Sequence, residues 1–432
     1  MSFNPLQGKL VKPTNQRIGK VLGDKDKPIH ESTVRSWKKK DPELFKEKVL
    51  EYRLKQAPFI LKEDFDNINC DNKIHKGKEL VLDGKIPGIV DKDNNILYPV
   101  NLLDILKYIE ELRSFEGTNV LTLANFKGGV GKTTLTVNLA TILSFYGFNV
   151  LLADYDIQGN TTSMFDLYRY KRNEKKVDLN ITDLDVLYDI EKSDFKYTMI
   201  DLIAEIENDD IENIIKSSVI NLNDRVKTVG RLDILPNANN IENALKFEDI
   251  DKQLKTYGNV NQVLDDVLSY VKDDYDFVII DTPPSISLPL RMSVLATDYF
   301  LIALTPDKMS KDGIAPFVVP IEMNSKAYKR HKNKDIVVLG GIMNMFQNNI
   351  NIHRANKDLV AEDLSNTIEN SNLGESSLFE QFIKRDNVLT ESQADMGSVL
   401  LYEPTNELVR DYFNLVDEIL ERILIDKYSK AE

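Results

Sequence analysis

The stretch from Val120 to Leu143 constrains the fold more than any other part of the chain. An apolar run, Val120–Asn125, leads into Lys127-Gly128-Gly129-Val130-Gly131-Lys132-Thr133-Thr134. That turn opens an amphipathic helix carrying Leu135, Leu139, Ile142 and Leu143. Glycines let the backbone curl so that its N–H groups point inward at an anion. The helix N-terminus adds a favourable field for negative charge.

From Thr118 onward, apolar runs alternate with helical stretches. The runs are Val120–Asn125, Val150–Asp156, Leu232–Leu235, Phe277–Asp281, Tyr299–Thr305 and Ile336–Met345. Runs buried on both faces and separated by helices indicate a parallel sheet covered on both sides. The expected fold is α/β, a P-loop NTPase with a mainly parallel, doubly wound sheet, preceded by an α-helical helix-turn-helix domain. The expected divisions are 1–58 for the helix-turn-helix region and 59–116 for a hairpin and a linking helix. Residues 117–432 form the nucleotide domain. A hairpin is read at 88–98, as a wing or a dimer contact, and a helix at Leu102–Phe115. The acidic, polar segment Asp166–Asp224 carries no chemical signature.

Composition narrows the function. No stretch approaches the roughly 20 apolar residues of a membrane span, and Met1–Lys12 lacks the apolar run of a secretory signal, so a cytosolic protein is expected. A single cysteine, Cys70, rules out an intramolecular disulfide and a Cys-ligated zinc or iron–sulfur site within one chain. The 55 Lys+Arg and 69 Asp+Glu are unevenly spread. Residues 1–62 hold 15 basic and 7 acidic side chains, the rest 40 and 62. A basic head on an acidic body suggests a polyanion partner for the head.

The chemistry converges on a phosphate site. Gly128, Gly129, Val130, Gly131 and Thr134 supply the cradle; Lys132 can reach β- and γ-phosphates and the Thr133 hydroxyl can ligate magnesium. ATP and Mg2+ are therefore the expected cofactors. The common loop has a further glycine where this chain has Phe126, and Lys127 follows it. Phe277-Val278-Ile279-Ile280-Asp281 is an apolar strand ending in an acid that would hold magnesium through water. Asp154-Tyr155-Asp156-Ile157-Gln158-Gly159-Asn160 closes another strand at the end where α/β sheets bind ligands.

At these residues the chain resembles the ParA family of partition ATPases, within the group that also includes MinD. The family's K-G-G-x-G-K-T-T reads here at 127–134. Its D-x-D-P-Q-G-N reads Asp154 to Asn160 with Ile157 replacing proline, and its I-I-D-x-P-P reads Ile279 to Pro284. Gly340–Phe346 and Val399–Tyr412 are similar to later family segments. Ile383, Arg385, Leu389, Glu391 and Gly397 fall in its C-terminal motif, with Lys384 where proline is usual. The resemblance implies an ATP-dependent homodimer in which Lys127 reaches the partner's phosphates. It further implies that Asp156 positions the attacking water and that Asn344 touches the base. Non-specific DNA binding by the ATP form through Arg354, Lys357 and Arg385, a ParB-like partner, and association with the nucleoid also follow from it.

In the basic head, Asn15–Leu22 and Ser32–Lys40 look like a helix-turn-helix with an enlarged turn. The second helix buries Val34 and Trp37 and offers Arg35, Ser36, Lys38 and Lys39 to a major groove. The resemblance supports this, because larger ParA proteins carry such a head and repress their own operon. Asp41-Pro42-Glu43 caps a third helix running to about Lys55. Two other functions compete with this one. A nucleotide-responsive repressor is disfavoured by the intact Lys132, Thr133, Asp156 and Asp281. A MinD-like positioning ATPase needs a cationic amphipathic tail, and Leu408–Ile425 ends in Asp426-Lys427-Tyr428-Ser429-Lys430-Ala431-Glu432.

Overall fold

Strand residues alternate between two apolar layers, which is why the central sheet needs helices on both sides. The computed structural model describes residues 6–8, 22, 29–68, 81, 84–91, 93–125, 127–172, 188–193, 195–238, 246, 249–250, 254, 257–283, 288–306, 314–371, 373, 376–395 and 397–431. In chain order the N-terminal part comprises β1 (Leu6–Gly8), α1 (Glu31–Lys40), α2 (Pro42–Gln56), β2 (Phe59–Leu61) and α3 (Lys62–Ile68). It continues with β3 (Ile89–Asp91), β4 (Ile96–Pro99) and α4 (Leu102–Ser114). The sheet domain opens with β5 (Asn119–Ala124), α5 (Lys132–Tyr146), β6 (Val150–Asp154) and α6 (Asn160–Met164). A ribbon of β7 (Tyr168–Arg172) and β8 (Tyr188–Ser193) comes next, then α7 (Met199–Ala204), α8 (Ile211–Ser218), β9 (Ile220–Asn221), α9 (Asn223–Val226) and β10 (Leu232–Leu235). The remainder is α10 (Val263–Ser269), β11 (Phe277–Asp281), α11 (Leu288–Ala296), β12 (Tyr299–Leu304), α12 (Ile314–Lys332), β13 (Val337–Met343), α13 (Asn351–Asn370), α14 (Asn387–Asp395), α15 (Val399–Tyr402) and α16 (Glu407–Ala431).

The large sheet has the order β13-β12-β5-β11-β6-β10-β9. Its pairs are parallel except at β9, which runs antiparallel to β10. That short edge strand has no apolar run and was not expected from the sequence. Leu121, Leu123, Leu152, Phe277 and Ile279 face one cluster with α5 and α16. Val120, Leu151, Ala153, Val278 and Ile280 face the other, with α7, α10 and α11. The acidic segment 166–224 supplies the ribbon and two helices whose apolar sides, Met199, Ile203, Ile211 and Ile215, are buried in the second cluster.

The 88–98 hairpin forms as expected, with Asp91 Oδ1 accepting the Asp93 and Asn95 N–H groups at 2.9 and 2.8 Å. It is the central pair of a four-stranded sheet, β1-β3-β4-β2. Both its pairing edges are taken, so it is neither a protruding wing nor an open edge. Its Ile89 and Leu97 share one apolar core with Leu135, Phe145 and Phe413 of the sheet domain. Phe59 packs edge-on against Phe145 and Phe413 at 6.0 and 5.6 Å. Asn101 donates to the Tyr146 hydroxyl (2.8 Å) and to Asp417 (2.7 and 2.9 Å).

In the head, Asn15–Leu22 lies outside the described residues except for Leu22. The next two helices match the sequence reading, α1 beginning one residue earlier, at Glu31. Asp41 Oδ1 accepts the Leu44 N–H at 3.0 Å, the expected cap. Val34 and Tyr52 are buried in a small cluster with Trp37, Phe45 and Val49 packed on it. The amphipathic C-terminal stretch is docked along its length, burying Leu408, Val409, Tyr412, Phe413, Leu420 and Ile423. No helix among the described residues is long and apolar enough to cross a membrane.

Candidate active site

The C-terminal ends of β5, β6 and β11 lie side by side, and register brings their chemistry together. Asp281 is aligned with Asp154 across one pair and with Leu123 across the other. The loop between β5 and α5 therefore hangs over two carboxylate-bearing strand ends. Gly131 takes a left-handed φ of 83° as the residue before α5, and Gly129 one of 76°. Space for a Cβ is open at Gly128 and Gly129, with nothing within 4 Å. The cradle's mouth is thus clear for a ligand, whereas its floor is closed. A Cβ on Gly131 would meet the Asn344 amide at 2.3 Å.

Two asparagines hold the loop. Asn125 Oδ1 accepts the Lys127 N–H at 2.9 Å while its amide donates to Ala303 O at 2.6 Å. Asn344 donates to Val130 O at 2.9 Å, and its Oδ1 accepts the Met345 N–H at 2.9 Å. The structure thus places Asn344 beneath the loop, as a brace. Lys127 sits half-buried at the loop's start.

Lys132 is 8% exposed. Burial pushes its ammonium down from the usual lysine range, and the Asp281 and Asp156 carboxylates offset this only in part. Burial likewise pushes Asp281 up to about 6, against hydrogen bonds from Thr161 and Thr133. Thr161 Oγ1 donates to Asp281 Oδ2 at 2.8 Å. Asp154 is pushed well up by burial and by Asp281, although Thr162 donates to its Oδ2 from N–H (2.8 Å) and hydroxyl (2.6 Å). Raised carboxyls favour the folded state fully below about pH 4, and for Asp281 that contribution is lost as pH rises through about 6. Asp154 Oδ1 and Asp281 Oδ1 are buried without a hydrogen-bond partner. Two acceptor oxygens facing no donor, beside a threonine hydroxyl, are the chemistry a hard divalent cation or its waters satisfy.

Asp156 is nearly buried, its Oδ1 accepting the Gln158 N–H at 3.0 Å. Asn237, after β10, donates to Asp156 O (3.0 Å), and its N–H donates to Thr162 Oγ1 (2.8 Å). Thr161, Thr162, Asn237 and Asn125 escaped the sequence reading. Thr161 and Thr162 directly follow the quoted Asp154–Asn160 motif, which was the available signal. The C-terminal segment also reaches the site. Gln393 donates to Thr134 Oγ1 at 2.6 Å, and Asn138 Oδ1 accepts from Ser398 Oγ (3.1 Å) and Val399 N–H (2.9 Å).

The remaining candidates fall in two other places. Arg354 is exposed near the start of α13, Lys357 lies 4.5 Å above the Phe382 ring, and the Arg385 N–H donates to Phe346 O at 3.2 Å. Phe346 and Phe382 are in ring contact at 4.8 Å, and of these three cations Lys357 lies against that aromatic pair. On α1, Arg35, Lys38 and Lys39 are exposed, but Ser36 is half-buried rather than outward. Arg35 pairs with Glu31 of its own helix at 2.5 Å, and Lys38 lies 5.7 Å over Phe45.

Sheet order, loop and strand-end acids together define a P-loop NTPase. The AAA domain family model matches residues 118–338, a little over half of the chain. The chain belongs to that family, within its ParA group of ATPases. Sporulation initiation inhibitor protein Soj of Bacillus subtilis is 25% identical over 300 residues, 69% of this chain and 97% of Soj. Chromosome partitioning protein ParA of Myxococcus xanthus is 24% identical over 303 residues, 70% of this chain and 88% of its own. Among solved structures, apo McdA of Cyanothece superposes with a TM-score of 0.50 at 16% identity, covering 70% of this chain and all of McdA, which shows the shared fold.

Proposed function

We propose that this chain is a DNA partition ATPase that hydrolyses ATP with magnesium, dimerises on ATP and then binds DNA non-specifically. A ParB-like partner stimulates it, and its basic head represses its own operon. The observation that carries this reading is the convergence of Lys127, Lys132, Thr133, Asp156 and Asp281 at one end of the sheet. Similarity to partition proteins supports the biological role.

In this reading the loop from Gly128 to Thr134 binds the triphosphate, and Lys132 exchanges its partly compensated burial for phosphate counter-charge. Thr133 and Asp281 would hold magnesium, which when bound would supply positive charge against the phosphates. Asp156 orients the attacking water. Asn344 supports the loop and lies on the base side of it. Lys127 reaches across to the partner's phosphates, which couples nucleotide state to dimerisation. Residues 1–58 act as the DNA-binding head, 59–116 as the linking layer and 117–432 as the ATPase domain. The protein works in the cytoplasm on the nucleoid.

Lys127→Ala is expected to bind ATP normally yet remain monomeric with it. Light scattering checks this, and an unchanged ATP-dependent dimer would sink the trans-lysine role. The head is tested separately. Arg35→Ala with Lys38→Ala should lower affinity for the protein's own promoter and flatten its salt dependence, whose log–log slope is about −0.9 per phosphate contacted. ATP turnover and ATP-dependent binding to random DNA should persist through Arg354, Lys357 and Arg385. Loss of both DNA activities together would leave the head as the DNA-binding surface and favour a nucleotide-responsive repressor.

A further inference from the structure

Thr134 closes the loop motif, and its hydroxyl is engaged by a residue 259 positions away. Gln393 Nε2 donates to Thr134 Oγ1 at 2.6 Å. An amide nitrogen can only donate, so the threonine oxygen must accept. A hydroxyl has one proton and two acceptor lone pairs. Fixed as an acceptor towards Gln393, it must aim its proton elsewhere, and Thr134 stands in the first turn of α5, where the loop's N–H groups gather. Thr134 is 9% exposed, so an imposed orientation is not averaged out by water.

The contact is also well anchored. Asn138, one turn further along α5, donates to Thr134 O at 2.8 Å and accepts from Ser398 and Val399. Gly397 N–H donates to Ser392 O at 2.7 Å, which turns the chain after α14 back towards α5. Three residues of the C-terminal segment, Gln393, Ser398 and Val399, are thereby tied to the first two turns of the loop helix. Gln393 is the one among them that addresses a side chain of the loop motif itself.

We propose that Gln393 is a positioning residue for the nucleotide. By holding Thr134 as an acceptor, it presents the threonine hydroxyl as a donor to the phosphate nearest the nucleoside, a group common to nucleoside di- and triphosphates. This rests on the loop being the nucleotide site, and it adds a determinant of affinity that lies outside the loop. Gln393→Glu keeps the side chain's shape but reverses the bond. A carboxylate can only accept, so the Thr134 proton turns to it and a negative charge is placed near the phosphate.

The test measures binding of fluorescent ADP and ATP to the full-length protein, together with KM and kcat. Gln393→Glu should weaken both nucleotides by a similar factor, roughly tenfold, the size of one hydrogen bond to a charged group plus repulsion. Gln393→Met should weaken them roughly threefold, and KM should rise far more than kcat falls. In a Thr134→Val background, Gln393→Met should change affinity no further. Equal affinities of wild type, Gln393→Met and Gln393→Glu would overturn the proposal. So would an undiminished Gln393→Met effect in the Thr134→Val background, which would make the glutamine a packing residue. Wild type that binds neither nucleotide would instead overturn the nucleotide site itself. Melting temperature without nucleotide identifies a variant that is merely unfolded; Gln393→Met then carries the decision alone.

Discussion

Lys132→Ala is expected to abolish ATP turnover, with a loss of roughly a hundred- to a thousand-fold or more, and to weaken ATP binding. Lys132 is 8% exposed and burial pushes its ammonium down, with Asp281 and Asp156 compensating only partly. A lysine kept in such a place in the free protein is held ready for a stronger anion. Removing it leaves β- and γ-phosphates in a nearly dry cradle without their counter-ion, and leaves the Asp154–Asp156–Asp281 cluster without its nearby cation. Steady-state turnover and nucleotide titration of the purified variant check this. Normal turnover would remove the assignment of residues 127–134 to phosphate.

Asp156→Ala should separate binding from chemistry. The variant is expected to bind ATP within a few-fold of wild type and still dimerise, while hydrolysis slows by roughly a hundred-fold, the lower end for a group that handles the attacking water. The side chain's described partner is the Gln158 N–H at 3.0 Å, within its own turn, so its loss leaves the cradle's asparagine braces in place. Its backbone carbonyl, which accepts from Asn237, is untouched by the change. Single-turnover hydrolysis beside equilibrium binding distinguishes the roles. Failure to bind ATP would mark Asp156 as part of the cation site or the fold. One secondary effect has a definite sign. Asp156 raises Asp281, so its removal should let Asp281 ionise at lower pH.

Local patterns were the readable ones. The loop from Lys127 to Thr134 was legible because each part of its mechanism, glycine freedom, lysine reach and helix start, lies within eight consecutive residues. β10 and β11 were bounded to the residue, since continuous apolar runs mark strands covered on both faces. Contacts made across the sheet or across hundreds of residues left no periodic trace. Thr161 meets Asp281 over 120 positions, and Asn344 meets Val130 over 214. Asn344 could be singled out by resemblance, but its place under the loop depends on β13 and α13 flanking the site. The hairpin at 88–98 was legible as a turn and not as a buried pair. Ile89 and Leu97 alternate like any half-covered strand, and what covers them, α5 and α16, comes much later in the chain.

That buried hairpin changes how the chain can be divided by descent or by design. A linker can be exchanged between relatives because nothing packs on it. Residues 59–116 instead share a core with the loop helix and the last helix, through Phe59, Ile105 and Leu112 on one side and Phe145 and Phe413 on the other. Each such aromatic, uncovered, forfeits on the order of 2–3 kcal/mol of burial. The unit of inheritance in this protein is therefore larger than its nucleotide-binding fold. A foreign head grafted before Phe59 would have to replace β1, whose Leu6 lies in that core and which pairs with β3, and a graft at Gly117 would have to bring its own complement to the α5–α16 face. Divergence on one side of this seam obliges matching change on the other, so the two parts of the chain evolve as one piece.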